Sequence, residues 1–209
     1  MRPVRQMKIS RGMSVDDLVR EFDKSGVFQA GNLAKAVDIY EEMLRKKAPV
    51  ILAFAGALVP GGLRWVISDL IKDGMVNLVV TTGANVTHDI ASSFGEDYFK
   101  VSEFKDLEMR KKGISRIYDI GSPDKSAVRF EKGIQKILSG IPEATYSTPE
   151  LLKEIGKRIK DNSSVVKQAS SKDIPLFVPA LEDSILGIQL WIHSQDRKVK
   201  IDPLKDIKQ

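Results

Sequence analysis

A chain of 209 residues is long enough to bury a sizeable core without covalent staples, and 42% apolar with 29% charged residues is a globular composition. There is no cysteine and there are only two histidines, which removes disulfides, thiolate zinc sites and cysteine nucleophiles and leaves few donors for a transition metal. The net charge of +5 is spread along the chain without the like-charge block of a nucleic-acid arm, so neither DNA nor RNA is expected as a partner.

Met1-Arg-Pro-Val-Arg5 leads into no apolar run of signal-peptide length. The longest uncharged stretch, 48–63, is broken by Pro49, Gly56, Pro60, Gly61 and Gly62, so no membrane span and a cytoplasmic setting are expected. Ser14-Val-Asp-Asp17 has the spacing of a capping box and opens a helix with Leu18, Val19 and Phe22 on its apolar side and Gly26 at its end. A second helix is predicted over 32–47, from Leu33, Val37, Tyr40 and Leu44. Pro49 forces an extended entry into Val50–Ala55, which reads as a buried strand.

The pattern then alternates. A helix over 63–71 follows Pro60-Gly61-Gly62 and stops at Gly74; 75–80 is a second buried strand; a helix over 86–94 follows Thr81–Asn85, with Asn85 or Thr87 as its cap. A helix over 103–112 is stopped by Gly113, and 114–120 reads as one short strand. Helices are predicted over 124–139, 148–160 and 163–170, then a third strand over 175–180 and a polar turn, Glu182-Asp183-Ser184, leading into 185–192. The charged tail 196–209 carries Val199, Ile201, Leu204 and Ile207, which suits a strand or helix docked at an edge. Strands alternating with helices predict one α/β domain over 1–209, a mainly parallel sheet with helices on both faces.

In such a sheet, ligands sit outside the carboxyl ends of the strands. Three loops qualify: Gly56–Gly62, Thr81–Asn85 and Leu181–Ser184. The first resembles a Walker A loop up to the point where its Lys-Ser/Thr pair is missing, so ATP hydrolysis is not expected. Pro60-Gly61-Gly62 serves equally as a tight turn or as a source of backbone N–H groups for a phosphate. His88 and Asp89 would lie in the first turn of the following helix and face the same crevice; His193 has no partner visible in sequence.

Phe28–Ala36, Leu58-Val-Pro-Gly-Gly-Leu-Arg64, Leu78-Val-Val-Thr-Thr-Gly-Ala84 and Pro179-Ala-Leu-Glu-Asp183, with Leu186-Gly187 and His193-Ser194, resemble deoxyhypusine synthase in order and spacing. The resemblance runs from about Met13 to Ser194. It implies a Rossmann-like fold that binds NAD, assembled as a homotetramer of dimers with active sites at the dimer interface. It also implies transfer of the 4-aminobutyl group of spermidine, by way of an imine on an enzyme lysine, to a lysine of translation initiation factor 5A. Carried over, Gly56, Ala57, Leu58, Val59 and Pro60 match the first NAD loop, Thr82, Gly83 and Ala84 the second, and Asp183 an acid contacting the cofactor.

Two positions depart from the eukaryotic pattern. Thr87-His88 stands where two glutamates are usual, making His88 the candidate general base, and Ile188 stands where an aspartate meets a spermidine ammonium. The Gly-rich segment with the nucleophilic lysine has no counterpart: none of Lys198, Lys200, Lys205 or Lys208 lies in a Gly-Gly-Gly-x-x-Lys setting. The resemblance therefore implies a chain inactive alone. The alternatives are an NAD-binding, non-catalytic or split subunit completed by a chain carrying that segment, and an aminobutyl transferase acting on another polyamine.

Overall fold

The computed structural model describes residues 2–103, 105–196 and 199–209. They fall into two compact units, Met1–Val50 and Ile51–Gln209. Among the described residues no helix is long and apolar enough to cross a membrane.

The first unit is a helix pair. Helix α1 (Val15–Ser25) opens on the capping box expected from sequence: Ser14 Oγ accepts from Asp17 N at 3.0 Å, and the Asp17 carboxylate accepts from Ser14 N at 3.1 Å. Gly26 closes it at φ 64°. Helix α2 (Phe28–Arg45) begins four residues before the predicted start. Gly31 permits this, because a Cβ there would stand 2.4 Å from the Gly26 carbonyl carbon. Arg20 clamps the pair, reaching Asp16 on its own helix and Asp38 and Glu41 on α2.

In the second unit, strand β1 (Ile51–Ala53) leads through a wide helical turn, 59–63, to α3 (Arg64–Lys72). Gly62 breaks that turn at φ 97°, a conformation glycine adopts without strain. Strand β2 (Leu78–Val80) and α4 (Gly83–Ser93) follow. Next come β3 (Phe99–Lys100), α5 (Asp106–Lys111), β4 (Ile114–Ile117), β5 (Ile120–Pro123) and α6 (Lys125–Ser139). The chain continues through β6 (Ala144–Tyr146), α7 (Thr148–Gly156), α8 (Val165–Ser171), β7 (Leu176–Phe177), α9 (Ile185–Asp196) and β8 (Val199–Ile201), and 203–208 form a 3₁₀ turn. The tail thus supplies both a strand and a short helical turn.

The sheet that positions the site is parallel, in the order β1-β2-β7, with Leu52 beside Val79 and Val79 beside Leu176. A second sheet, β3-β5-β4, is antiparallel, and β6 pairs with β8 in parallel, so the molecule is mixed α/β with a parallel sheet. The antiparallel sheet is a departure from the predicted pattern. Residues 114–120 form one arm of a hairpin and the start of the other, turning at Tyr118 (φ 50°). No Gly or Asn marks that turn in the sequence. The predicted buried strand at 50–55 is also half right: β1 is an edge strand of this sheet, and Ile51 is 64% exposed. The core lies where α4 packs on α6, α8 and α9, and where α8 meets α3 and α7. Ile71, Val79, Ile90, Ile134, Leu151, Ile155 and Leu186 are fully buried there.

Candidate functional site

All three predicted loops follow a strand of the parallel sheet, and the structure ties them to one another. Thr81 Oγ1 donates to Phe54 O at 2.9 Å, joining the ends of β2 and β1. Asn85, 1% exposed, accepts from Val59 N through Oδ1 at 3.4 Å and donates from Nδ2 to Thr81 Oγ1 and Thr82 Oγ1 at 3.2 and 3.3 Å. One buried amide therefore links the first loop to the second. The third loop closes on the second at Gly83, where a Cβ would lie 2.6 Å from Ser184 Cβ, and the helices that follow them are joined by the Thr87 hydroxyl, which accepts from Leu186 N at 3.2 Å.

Thr82, not Asn85 or Thr87, caps α4: its extended backbone lets Oγ1 accept from Asn85 N at 3.4 Å. The amides of Gly83 and Ala84 precede any intrahelical acceptor and point toward the carboxyl edge of the sheet, as first-turn amides do. A shallow cavity of about 390 Å³ lies there, lined by Ala53, Phe54, Ala55, Val80, Thr81, Thr82 and Pro179. Gly56 (φ 80°) and Ala57 and Leu58 continue from it, with open space where a Gly56 side chain would stand; Val59 and Pro60 are buried. Asp183 is exposed in the turn before α9, its N–H bonded to Ala180 O at 3.0 Å. Ile188 is 53% exposed on α9.

His88 and Asp89 part company. Asp89 does not face the crevice; it is 1% exposed and holds three helices together. Its Oδ1 accepts from Arg64 Nε at 2.7 Å and Val165 N at 3.0 Å, and its Oδ2 accepts from Ser164 Oγ at 2.7 Å and Val166 N at 3.0 Å. Arg64 extends the network to Asp161 at 2.7 Å. Burial disfavours the Arg64 charge, but Asp89 and Asp161 outweigh it and hold the guanidinium above its usual range. Burial pushes Asp161 up, and Ser163 with Arg64 more than reverses this, leaving it below the usual carboxylate range.

His88 lines a different cavity, of about 320 Å³, with Thr87, Glu96, Ser122, Asp124, Phe130 and Ile185 among its walls. Nδ1 lies 2.8 Å from Tyr98 Oη, with the two rings edge to face. Burial holds the imidazole below its usual pKa, against an opposing pull from Glu96. Burial also pushes the Tyr98 phenol well above its usual range, reinforced by the nearby Glu96 carboxylate. His193 does have a partner, Gln135 Oε1 at 3.0 Å. Sequence reasoning missed Arg64 and Tyr98. Arg64 closes the Leu58–Arg64 motif and so carried a signal, whereas Tyr98 sits in an irregular segment without periodicity.

These features define a mixed α/β protein whose loops gather at the carboxyl edge of its parallel sheet, the place where such sheets bind ligands. The sequence model of the family described as deoxyhypusine synthase matches residues 17–209. The chain is 41% identical over 207 residues to probable deoxyhypusine synthase 1 of Methanosarcina acetivorans, covering 98% of this chain and 65% of that relative. It is 37% identical over 207 residues to the probable deoxyhypusine synthase of Methanothermobacter thermautotrophicus, covering 98% of this chain and 67% of that one. A crystal structure of a candidate deoxyhypusine synthase from Entamoeba histolytica superposes with a TM-score of 0.71 at 20% identity, over 98% of this chain and 72% of that one. The chain belongs to the deoxyhypusine synthase family, and it spans 65% of the length of the Methanosarcina relative.

Proposed function

We propose that the chain acts as a deoxyhypusine synthase, a cytoplasmic transferase that moves the 4-aminobutyl group of spermidine to a lysine of translation initiation factor 5A with NAD as cofactor. The family match over 17–209 carries this reading, and the convergence of the three loops supports it. The residues present fit a dinucleotide of Rossmann-like placement. The Gly83 and Ala84 amides at the N-terminus of α4 suit a pyrophosphate, the open backbone at Gly56 admits close approach, and the Asp183 carboxylate suits ribose hydroxyls. Bound there, NAD would supply the hydride acceptor for oxidation of the polyamine. Thr87, His88 and Ile188 would face the polyamine, with His88, kept neutral by burial, accepting a proton.

A second reading is favoured by one observation. Among the described residues no lysine is buried, whereas a nucleophilic amine must be kept neutral, commonly by desolvation. The chain would then bind NAD and receive its lysine from a partner chain, within a homotetramer or a mixed assembly. The test is a thermal titration with NAD followed by borohydride trapping with NAD and spermidine. A melting temperature that rises with NAD supports both readings, and no shift at millimolar NAD refutes both. A trapped adduct on the 209-residue chain supports the complete enzyme; an adduct formed only after a chain with the Gly-rich lysine segment is added supports the second reading.

A further inference from the structure

Helix α9 is apolar on both sides. It carries no Asp, Glu, Lys or Arg before its last residue, Asp196. Its inner stripe, with Leu186, Leu190 and His193, is buried where α9 packs on α4 and α6. Ile185, Ile188, Trp191 and Ile192 recur at helical spacing on the other side and are all exposed, Trp191 to 65%. A helix that is hydrophobic all round belongs inside a core, so this outer stripe is an unpartnered face and not a solvent face. Beside it, β8 pairs only with β6 among the described residues, which leaves β8 at the edge of a two-stranded parallel sheet. Parallel strands belong to sheets covered on both faces, and two strands alone are marginal in water. A cavity of about 380 Å³ opens between α9 and β8, with Gly187, Leu190, Trp191, Val199, Ile201 and Pro203 among its walls. The helix stripe and the strand come together there, at Trp191.

We propose that this face is the docking surface for the third of the longer relatives that the present chain does not span, laid along α9 and added to the β8 edge. The lengths argue for that occupant. The match uses 98% of this chain but 65% of the Methanosarcina acetivorans relative, so the relative holds additional polypeptide and this chain holds an uncovered face. A further parallel strand reaches a sheet edge through a crossover connection, and about a third of the relative is enough chain to make one. The position agrees. Ile185, at the start of the outer stripe, also lines the His88 cavity, so a segment laid along α9 reaches the rim where the second reading requires an amine. Ile188 lies between, and the segment would close the polyamine site from outside. The inference rests on that second reading and names the surface through which the missing lysine segment is received.

The probe is the unmatched third of the Methanosarcina acetivorans relative, co-expressed as a separate polypeptide with residues 1–209. Trp65→Phe leaves Trp191 as the sole tryptophan, so its emission reports on the face directly. The expected result is a one-to-one complex by light scattering, with Trp191 emission shifted to the blue and shielded from acrylamide. Ile192→Glu should weaken the complex at least about tenfold, because it buries an unpaired charge. The same variant should leave the melting temperature of the 209-residue chain unchanged, since Ile192 is exposed there. Val66→Glu, at an exposed position on α3, should leave the complex intact. No complex, a complex that leaves Trp191 emission unchanged, or one indifferent to Ile192→Glu overturns the inference. So does a homodimer of residues 1–209 that buries Trp191, which assigns the face to a second copy. Should the separate segment fail to fold, its fusion after Gln209 still decides: Ile192→Glu should then lower the melting temperature of the fusion alone, and a Trp191 that stays open to acrylamide overturns the inference. A complex that gives no borohydride adduct counts against the enzyme reading alone, and an NAD-induced shift without a complex counts against this inference alone.

Discussion

Replacing Asp89 with Asn keeps the shape of the carboxylate and removes its charge at the point where α3, α4 and α8 meet. The four acceptor positions of the native group are filled, two donors to each oxygen. In the Asn variant one oxygen becomes a donor. In the milder orientation that donor faces Ser164, whose hydroxyl can turn to accept, and Val166 N, which cannot. An orphaned buried amide costs about 1–3 kcal/mol. Removing one partner of a buried ion pair costs about 3–5 kcal/mol, and Arg64 retains Asp161 at 2.7 Å, so the low end applies. The expected destabilisation is about 3 kcal/mol, or a melting temperature lower by about 6–12 °C for a chain of this size. The assay is urea and thermal unfolding of D89N, R64M and the double variant, with K153A as control. Lys153 pairs with Asp173 on the surface, where the loss should stay below about 1 kcal/mol. A D89N melting temperature within about 2 °C of wild type, or no coupling between Arg64 and Asp89 in the cycle, would refute the view that this carboxylate organises the helices.

Ala84→Asp places an anion in the first turn of α4, which should leave the ligand-free melting temperature unchanged or slightly raised while the NAD-induced shift is lost; a retained shift argues against an α4 pyrophosphate site. Gly83→Ala should destabilise by about 1–3 kcal/mol, because its Cβ would meet Ser184 Cβ, and a variant as stable as wild type would mean the second and third loops are not in contact as described. His88 has a folded-state pKa below its unfolded value, so the unfolded chain binds more protons; the stability it contributes is present above the unfolded value near 6.5 and is lost as pH falls toward the folded one. His88→Gln should flatten unfolding free energy against pH in that window, and an unchanged slope would mean that the ring is not held neutral. In an assembly competent for transfer, His88→Ala should lower kcat by about 10²–10⁴ with NAD affinity within a few-fold, and an unchanged kcat would place the base elsewhere.

The local signals in this sequence were strong wherever the physics is short-ranged. Ser14-x-x-Asp17 and Gly26 bound α1 because capping is settled within one turn of chain. Each of the loops after residues 53, 80 and 177 could be placed after a strand because an apolar run ending in Gly, Thr or a polar turn is itself a local pattern. That the three strands pair in parallel, so that those loops share one edge, agrees with the alternation of strands and helices. The β4–β5 hairpin escaped notice because its turn uses a tyrosine in the left-handed region, a conformation tertiary context imposes.

Tertiary structure alone decided which of the adjacent residues His88 and Asp89 lines a cavity and which is spent on helix packing. Neighbours on a helix point about 100° apart, so one faced a cavity and the other the junction of three helices, and no property of either residue type could tell which. The same holds for Asn85, a cap candidate in sequence whose buried amide instead ties Val59 to Thr81 and Thr82. It holds most clearly for Tyr98. Its bearing on His88 depends on a fold-back of ten residues that brings Oη to 2.8 Å from Nδ1, a distance set by the packing of an irregular segment and by no pattern in the chain.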